Sequence, residues 1–320
     1  MNSKILMSLT SIIQISAILL YGCTGETITE KGGHLNLGIP GIMSVGAAIG
    51  VLTEYLLGLM GLNVPFLVVI IPIITTFIGA GIVGLLYSFL TVTLRCNQNV
   101  TGLTITTFGV GLTGVIIEPI KVKSATIISR FSKYFRKLFP FAANMGDFGK
   151  IFFSYGILVY LAIAIAIVTQ IVLNRTKIGL HLRAVGENPA TADAAGINVA
   201  KYKYFSTIIG SGIAGLGGLC CIMDYLSGSW GYIMEVFGWL AVALVIFTLW
   251  RPVLAILGSI VFGGLYMLTS YIDVPFAFNE LIRLAPYLVT IIVLIVTSII
   301  GKKEAQPPAA LGTNYFREER

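Results

Sequence analysis

The chain is poor in charge: Asp, Glu, Lys and Arg make up 11% of its 320 residues, and histidine occurs only twice. So few hydrated side chains exclude an ordinary soluble domain, in which roughly a quarter of residues are charged. Cysteine is scarce as well. Cys23, Cys96, Cys220 and Cys221 show neither a metal-ligand spacing nor a disulfide framework, and the adjacent Cys220 and Cys221 read as small apolar packing groups. Also missing are the Gly-x-x-x-x-Gly-Lys-Ser/Thr phosphate loop, His-Glu-x-x-His, Cys-x-x-Cys and Gly-x-Ser-x-Gly. The first absence excludes ATP binding by a phosphate loop. The others leave a membrane enzyme without the catalytic cluster it needs.

What is present is apolar. Hydrophobic residues reach 56% and the mean hydropathy is +0.92. A helix that crosses a ~30 Å hydrocarbon core needs ~20 such residues. Candidate spans are Ile5–Gly22, Leu37–Met60, Phe66–Leu94, Ile105–Ile117, Phe152–Leu173, Tyr204–Leu226, Phe237–Trp250, Val253–Tyr271 and Leu284–Ile300, of which the fourth and seventh are short. The 36 glycines fall mostly inside these runs, as close helix packing requires. The expected fold is an all-α polytopic integral membrane protein of about 8–10 transmembrane helices. A transmembrane domain over 1–303 holds a polar loop at 174–203, and a tail follows over 304–320. Lys4, an apolar run and Leu20-Tyr21-Gly22-Cys23 resemble a lipoprotein signal, but a tyrosine sits badly before the cysteine, so an uncleaved first span is expected.

The net charge of +7 lies between spans, where it sets orientation, and implies no nucleic-acid partner. Loop 174–203 carries Arg175, Lys177, Arg183, Lys201 and Lys203 against Glu187 and Asp193, and the tail opens with Lys302 and Lys303. Short basic loops stay cytoplasmic, and the intervening spans are even in number. The expectation is an outside N-terminus and an inside C-terminus in the cytoplasmic membrane, with the lipid bilayer as surroundings. One segment conflicts. Pro119–Lys150 holds Lys121, Lys123, Arg130, Lys133, Arg136, Lys137 and Lys150 against Asp147, yet this count places it outside. Either the short fourth span does not cross, or Ile127–Phe139 is an external interfacial helix, as an anchor or as a docking surface for an acidic partner.

Three polar segments stand out. Gly32, Gly33, Gly38, Pro40 and Gly41 cannot form a regular helix interior, so the second helix is expected to be discontinuous. Irregular backbone at membrane depth needs protein or a water-filled cavity around it. Asn36 could line a solute pathway or satisfy freed backbone, whereas His34 reads as structural. Thr104, Thr107 and Phe108 share a helical face, which could be a hydrogen-bonding and stacking wall or simply threonines bonded back to their own helix. Glu54, Glu118 and Asp224, in or at the ends of spans, are candidate functional acids.

The third segment is a short helix with its own punctuation. Asn188 is a good N-cap, Pro189 suits the first position, Ala190 to Ala195 favour helix and Gly196 can end it in a left-handed conformation. Such a helix is marginal alone in water. One presented from a membrane protein's loop is expected to meet a partner.

Taken together, these segments resemble the permease subunits of ATP-binding-cassette importers, in the branched-chain amino acid, ribose and nucleoside group. Within it they are most similar to the nucleoside (simple-sugar-type) permeases served by basic-membrane-protein lipoproteins. The resemblance rests on Gly33-His34-Leu35-Asn36-Leu37-Gly38-Ile39-Pro40-Gly41-Ile42-Met43, on Leu94 through Leu103, on Arg183-Ala184-Val185-Gly186-Glu187-Asn188-Pro189 through Gly196-Ile197, and on Phe247 through Pro252 followed by Gly263-Gly264. It runs from about Gly32 to Lys303. An acid commonly stands in that group where this chain has Pro40, so riboflavin and simple sugars stay open beside nucleosides.

The resemblance implies a coupling helix at Pro189–Ala195 and coupling roles for Arg183, Gly186, Glu187, Asn188, Pro189, Asp193 and Gly196. It implies cytoplasmic ATPase subunits that carry ATP-Mg, no cofactor on this chain, a second permease subunit in a heterodimer, and an extracytoplasmic substrate-binding lipoprotein. The rival reading is a channel or ion-driven secondary transporter, which would work without an ATPase.

Overall fold

The first apolar run does not stop at Gly22, where hydropathy fades. In the computed structural model, which describes residues 3–136, 146, 149, 152–268, 281–282, 284–300 and 306–316, helix α1 continues to Lys31. The extension carries Thr24, Glu26, Thr27, Thr29 and Glu30, all buried. Several of its polar groups find partners within the protein: Thr27 and Thr29 donate to the carbonyls of Cys23 (2.7 Å) and Gly25 (3.2 Å), whereas Thr24 Oγ1 and Glu26 Oε2 are buried without one. Hydropathy counts these residues as a loop because it cannot see the partners that burial gives to Thr27, Thr29 and Glu30.

The remaining helices are α2 (Ile39–Leu59), α3 (Pro65–Ser88, extended by a wide π turn over Phe89–Thr93), α4 (Gln98–Ile117), α5 (Lys121–Phe135) and α6 (Ile157–Arg175). Then come α7 (Lys177–Glu187), α8 (Pro189–Ala194), α9 (Val199–Cys220, with a π turn over Cys221–Tyr225), α10 (Met234–Phe247), α11 (Pro252–Met267) and α12 (Ala285–Ile300). Among the described residues all regular structure is helical. Proline opens α2, α3, α8 and α11, where its missing N–H is not needed. Among the described residues six helices are long and apolar enough to cross a membrane: α1, α2, α3, α4, α6 and α9. The apolar helices α10, α11 and α12 are shorter.

The bundle is centred on α9, which packs against α3, α1 and α2. Small residues allow this closeness: a Cβ on Gly25 of α1 would run into the backbone of Gly210 of α9. One end of the bundle gathers α7, α8, linker 32–38 and the tail. At the other end α5 lies over Leu57 and Val68, and Arg136 donates to Ser227 Oγ at 2.8 Å.

This placement bears on the conflict over the basic segment. The fourth span, short by hydropathy, is a 20-residue helix, because Asn97 caps it by accepting the Val100 N–H at 3.1 Å. It is therefore long enough to cross, and the basic α5 lies at the end of the bundle opposite loop 174–203. Residues 137–139 of the expected interfacial helix, 269–271 of the expected eighth span, and Lys302 and Lys303 lie outside the described residues.

Candidate functional site

The loop 174–203 builds a platform in three steps. Thr176 ends α6 and caps α7, accepting the Gly179 N–H at 3.2 Å. Helix α7 is amphipathic and buries Gly179, Leu182, Val185 and Gly186. Asn188 then closes α7 and opens α8, its Oδ1 accepting the Thr191 N–H at 3.0 Å with Pro189 next in line. Gly196 stands at φ +82°, the left-handed conformation expected of it, and Ile197 N–H returns to the Ala192 carbonyl at 3.0 Å. Ala192 anchors α8 by packing with Val185 and Val199. Ala190, Thr191, Ala194, Ala195 and Gly196 stay exposed, a shallow face of small residues.

Gly186 marks the tightest contact. A Cβ there would run into the carbonyl oxygen of Lys31, at the end of α1. Only glycine lets α7 lie on the α1 terminus, and the sequence pattern does not disclose this reason for it. Arg183 is half-buried and lines a cavity between α1, α6, α7 and α11, while Glu187 is exposed at the same cavity.

The tail is not free over residues 306–316. Ala310 N–H donates to the Gly186 carbonyl at 3.0 Å, and Ala309 N–H to Glu187 Oε2 at 3.4 Å. The Tyr315 hydroxyl donates to Asp193 Oδ2 at 2.8 Å. Further along the same face, Gln98 donates to the Thr313 carbonyl (3.1 Å) and Asn314 to the Arg95 carbonyl (2.8 Å). The tail thus straps α7 and α8 to the start of α4.

Beneath the strap lies linker 32–38, where the expected discontinuity falls, just before α2. Most of its polar groups find protein, though Asn36 Nδ2 is buried without a partner. Asn36 N–H donates to Glu26 Oε1 (3.0 Å), and Asn36 Oδ1 accepts the Gly38 N–H (2.9 Å). Leu35 is held from both sides, by Gln98 Oε1 on its N–H (2.9 Å) and the Tyr87 hydroxyl on its carbonyl (2.7 Å). Thr106 donates to the Leu37 carbonyl at 2.8 Å. His34 pairs its Nδ1 with Thr207 Oγ1 at 3.0 Å, and burial, followed by the charge of Lys203, pushes its pKa well below the usual imidazole range.

Asn36 is buried; its Oδ1 serves the irregular backbone at Gly38, and its Nδ2 has no hydrogen-bond partner. Thr104, Thr107 and Phe108 are exposed on α4, the threonines bonded back to the carbonyls of Val100 (2.8 Å) and Leu103 (3.2 Å). They share a face with one another but not with Asn36.

Glu54 and Asp224 are buried, and neither Glu54 oxygen has a partner. Glu118 is exposed at the α5 end and accepts from the Tyr232 hydroxyl. Sequence reasoning missed Glu26 and Glu30. Glu30 accepts the indole N–H of Trp250, which follows Leu249 in a corner where both residues are left-handed (φ 53° and 55°). Two adjacent non-glycine residues in that region store strain; the Leu249 and Trp250 N–H bonds to the carbonyls of Ile246 and Val245 and the Glu30 bond to the indole hold them. The available signal was two acids four apart directly before Gly32-Gly33.

The sequence profile of a family described as "Branched-chain amino acid transport system / permease component" matches residues 8–296. A nucleoside ABC transporter permease protein, NupC, of Lactococcus lactis subsp. cremoris is 32% identical over 95% of each chain. The guanosine ABC transporter permease protein NupQ of Bacillus subtilis is 31% identical, again over 95% of each. A Haloferax volcanii protein, provisionally named a glucose ABC transporter permease, is 32% identical over 80% of this chain and 74% of its own.

Proposed function

Since the chain belongs to the family of branched-chain amino acid-type permease components, and is thus a permease subunit of an ATP-binding-cassette importer, we propose that it forms half of a pathway for nucleosides. Separate ATPase subunits drive it. The exposed small-residue face of α8 seats against an ATPase from the cytoplasm, with Glu187, Asn188 and Pro189 at the leading edge of the contact and Arg183 behind them. The observation that carries the coupling role is the doubly capped α8, fixed by Ala192 on one side and bare on the other. A helix this short is worth presenting only to a partner that completes its burial.

ATP binding by the ATPases, which hold ATP-Mg, moves α8. The movement reaches the bundle through Gly186 on α1 and through the strap on α4. In this reading the Thr104, Thr107 and Phe108 face of α4 meets a second permease in a heterodimer, and the solute passes between them. Exposure of that face in the single chain supports the arrangement. The N-terminus is outside and the tail inside the cytoplasmic membrane. A lipid-anchored binding protein delivers solute at the α5 end. Sugar import is the second reading, favoured by the Haloferax relative.

The test is reconstitution of the permeases, ATPases and binding protein in vesicles. Labelled uridine and guanosine are expected to accumulate with ATP, and unlabelled glucose not to compete. Glucose uptake without nucleoside uptake overturns the substrate. Uptake by the permeases without ATPases overturns the importer mechanism. Glu187→Lys and the Asn188-Pro189→Gly-Gly variant should assemble, hydrolyse ATP and fail to accumulate solute.

A further inference from the structure

Helices α6 and α9 both pack on α1 but meet each other little, which leaves a groove of about 820 Å³ between them. Ile28 lines it from α1, and Phe77 of α3, set against Gly212, closes its deep end. At the platform α7 turns across it. A Cβ on Gly179 would run into the Val172 carbonyl oxygen, so only glycine lets α7 lie this close to the end of α6.

The groove follows the bundle axis. Its α6 wall extends from Leu161 to Leu173 and its α9 wall from Lys201 to Ile213, each ~18 Å at 1.5 Å per residue. That is about the depth of one leaflet, half of a ~30 Å hydrocarbon core. Both helices are long and apolar enough to span, and along the walls Val168, Phe205 and Ile209 are exposed. The Ser206 hydroxyl is turned back on the Lys203 carbonyl at 3.0 Å, so it adds no free donor to the wall.

Only the mouth is charged, and with one sign. Lys201 lines it, and Lys177 precedes the lining residue Ile178 in the first turn of α7. Among the described residues no acid lines the groove, and neither lysine side chain has a hydrogen-bond or ion-pair partner. The start of α7 adds the positive end of its dipole. Beside Lys201 stands Tyr202, its hydroxyl 2.8 Å from His181 Nδ1, an amphipathic ring of the kind that marks a membrane boundary. An apolar trough one leaflet deep beneath an unpaired cationic mouth has the shape and charge of a lipid's complement.

We propose that the groove holds an acidic phospholipid of the platform-side leaflet, with an acyl chain between α6 and α9 and the headgroup phosphate at Lys201 and Lys177. The chain rests on Gly179 and Leu182, so the lipid braces the base of α7 against α9. Apolar contact gives no preference by itself, because the surrounding lipid tails are as apolar as the walls. The choice among lipids falls to the lysines, each worth about fivefold beside an anionic headgroup. The proposal depends neither on which solute crosses nor on how an ATPase meets α8.

The test titrates the assembled transporter in mild detergent with phosphatidylglycerol and with phosphatidylcholine of the same chains, counting bound lipid by native mass spectrometry. Phosphatidylglycerol should bind at least about fivefold more tightly, and the Lys177→Gln/Lys201→Gln variant should lose that preference. Phosphatidylglycerol with a photoreactive acyl chain should label the α6 and α9 walls, and Ala164→Trp, which fills the groove from an exposed position, should suppress the label. A preference unchanged in the lysine variant means annular lipid only and overturns the proposal, as does label spread evenly over the lipid-facing helices. Should Ala164→Trp lower the melting temperature, the lysine variant, altered only at exposed positions, decides alone. A disulfide from Val168→Cys to another subunit, with no lipid label, assigns the groove to protein and also overturns it.

Discussion

The hydroxyl of Tyr315 donates to Oδ2 of Asp193 at 2.8 Å, so a residue at the chain's end holds the helix that the loop presents. Tyr315 also packs beside Ala192, Val185 and Val199, the cluster on which α8 stands. The tail is therefore part of the platform.

Tyr315→Phe removes the hydrogen bond but leaves the ring, at a cost of about 1 kcal/mol. The expected result is a lower solute-to-ATP ratio with the complex still assembled. Truncation after 305 also removes the bonds to Gly186 and Glu187 and should lower that ratio further. Parallel uptake and hydrolysis assays on both variants check this. An unchanged ratio after truncation would show the strap to be passive.

Gly186→Val places a branched side chain against the Lys31 carbonyl. Overpacking of this kind costs about 1–3 kcal/mol and should lift α7 from α1. The melting temperature should fall. A cysteine at Ala194 should label faster in this background than in the parent. Equal labelling rates would contradict the contact.

Asn188→Ala strips α8 of its N-cap at a cost of about 1 kcal/mol, whereas Asn188→Asp keeps an acceptor for the Thr191 N–H. The alanine variant should lose coupling and the aspartate variant should retain most of it. ATP-driven uptake measured side by side distinguishes them.

The buried His34 makes stability pH-dependent. Its pKa is depressed in the folded protein, while the unfolded chain takes up a proton below about pH 6.5. The unfolded state therefore binds more protons in that window. Stability is complete above pH 6.5 and falls as pH drops from there toward the depressed value, by up to about 1.4 kcal/mol per pH unit. Thermal unfolding between pH 7.5 and 5.0 should show the slope, and His34→Gln should flatten it.

The sequence disclosed the parts that depend on local chemistry. Asn188, Pro189 and Gly196 wrote the boundaries of α8 because caps and breakers act within a few residues. The irregular backbone around Gly32 to Gly38 was equally plain, although Pro40 and Gly41, expected to break the second helix, lie in the first turn of an unbroken α2. Residues whose meaning comes from distant partners were hidden. Glu26 and Glu30 fell in what hydropathy reads as a loop after the first span, and only Asn36 and Trp250, their hydrogen-bond partners, show them to be part of α1. Asn36 was visible as a polar group in a glycine-rich segment, but its neighbours decide between pathway and scaffold. The strap was illegible because its pairs, such as Gln98 with Thr313, lie far apart in the chain.

Helix α1 reaches both ends of the bundle. Near one terminus Gln14 donates to the Asp224 carbonyl at 3.2 Å; at the other, Lys31 lies under Gly186. Those residues are separated by ~26 Å at 1.5 Å per residue. A stiff rod of that length, braced at each tip, carries a push from one surface to the other without bending the helices between. A displacement at the platform can thus reach the opposite end along a single element, with the remaining helices left in place.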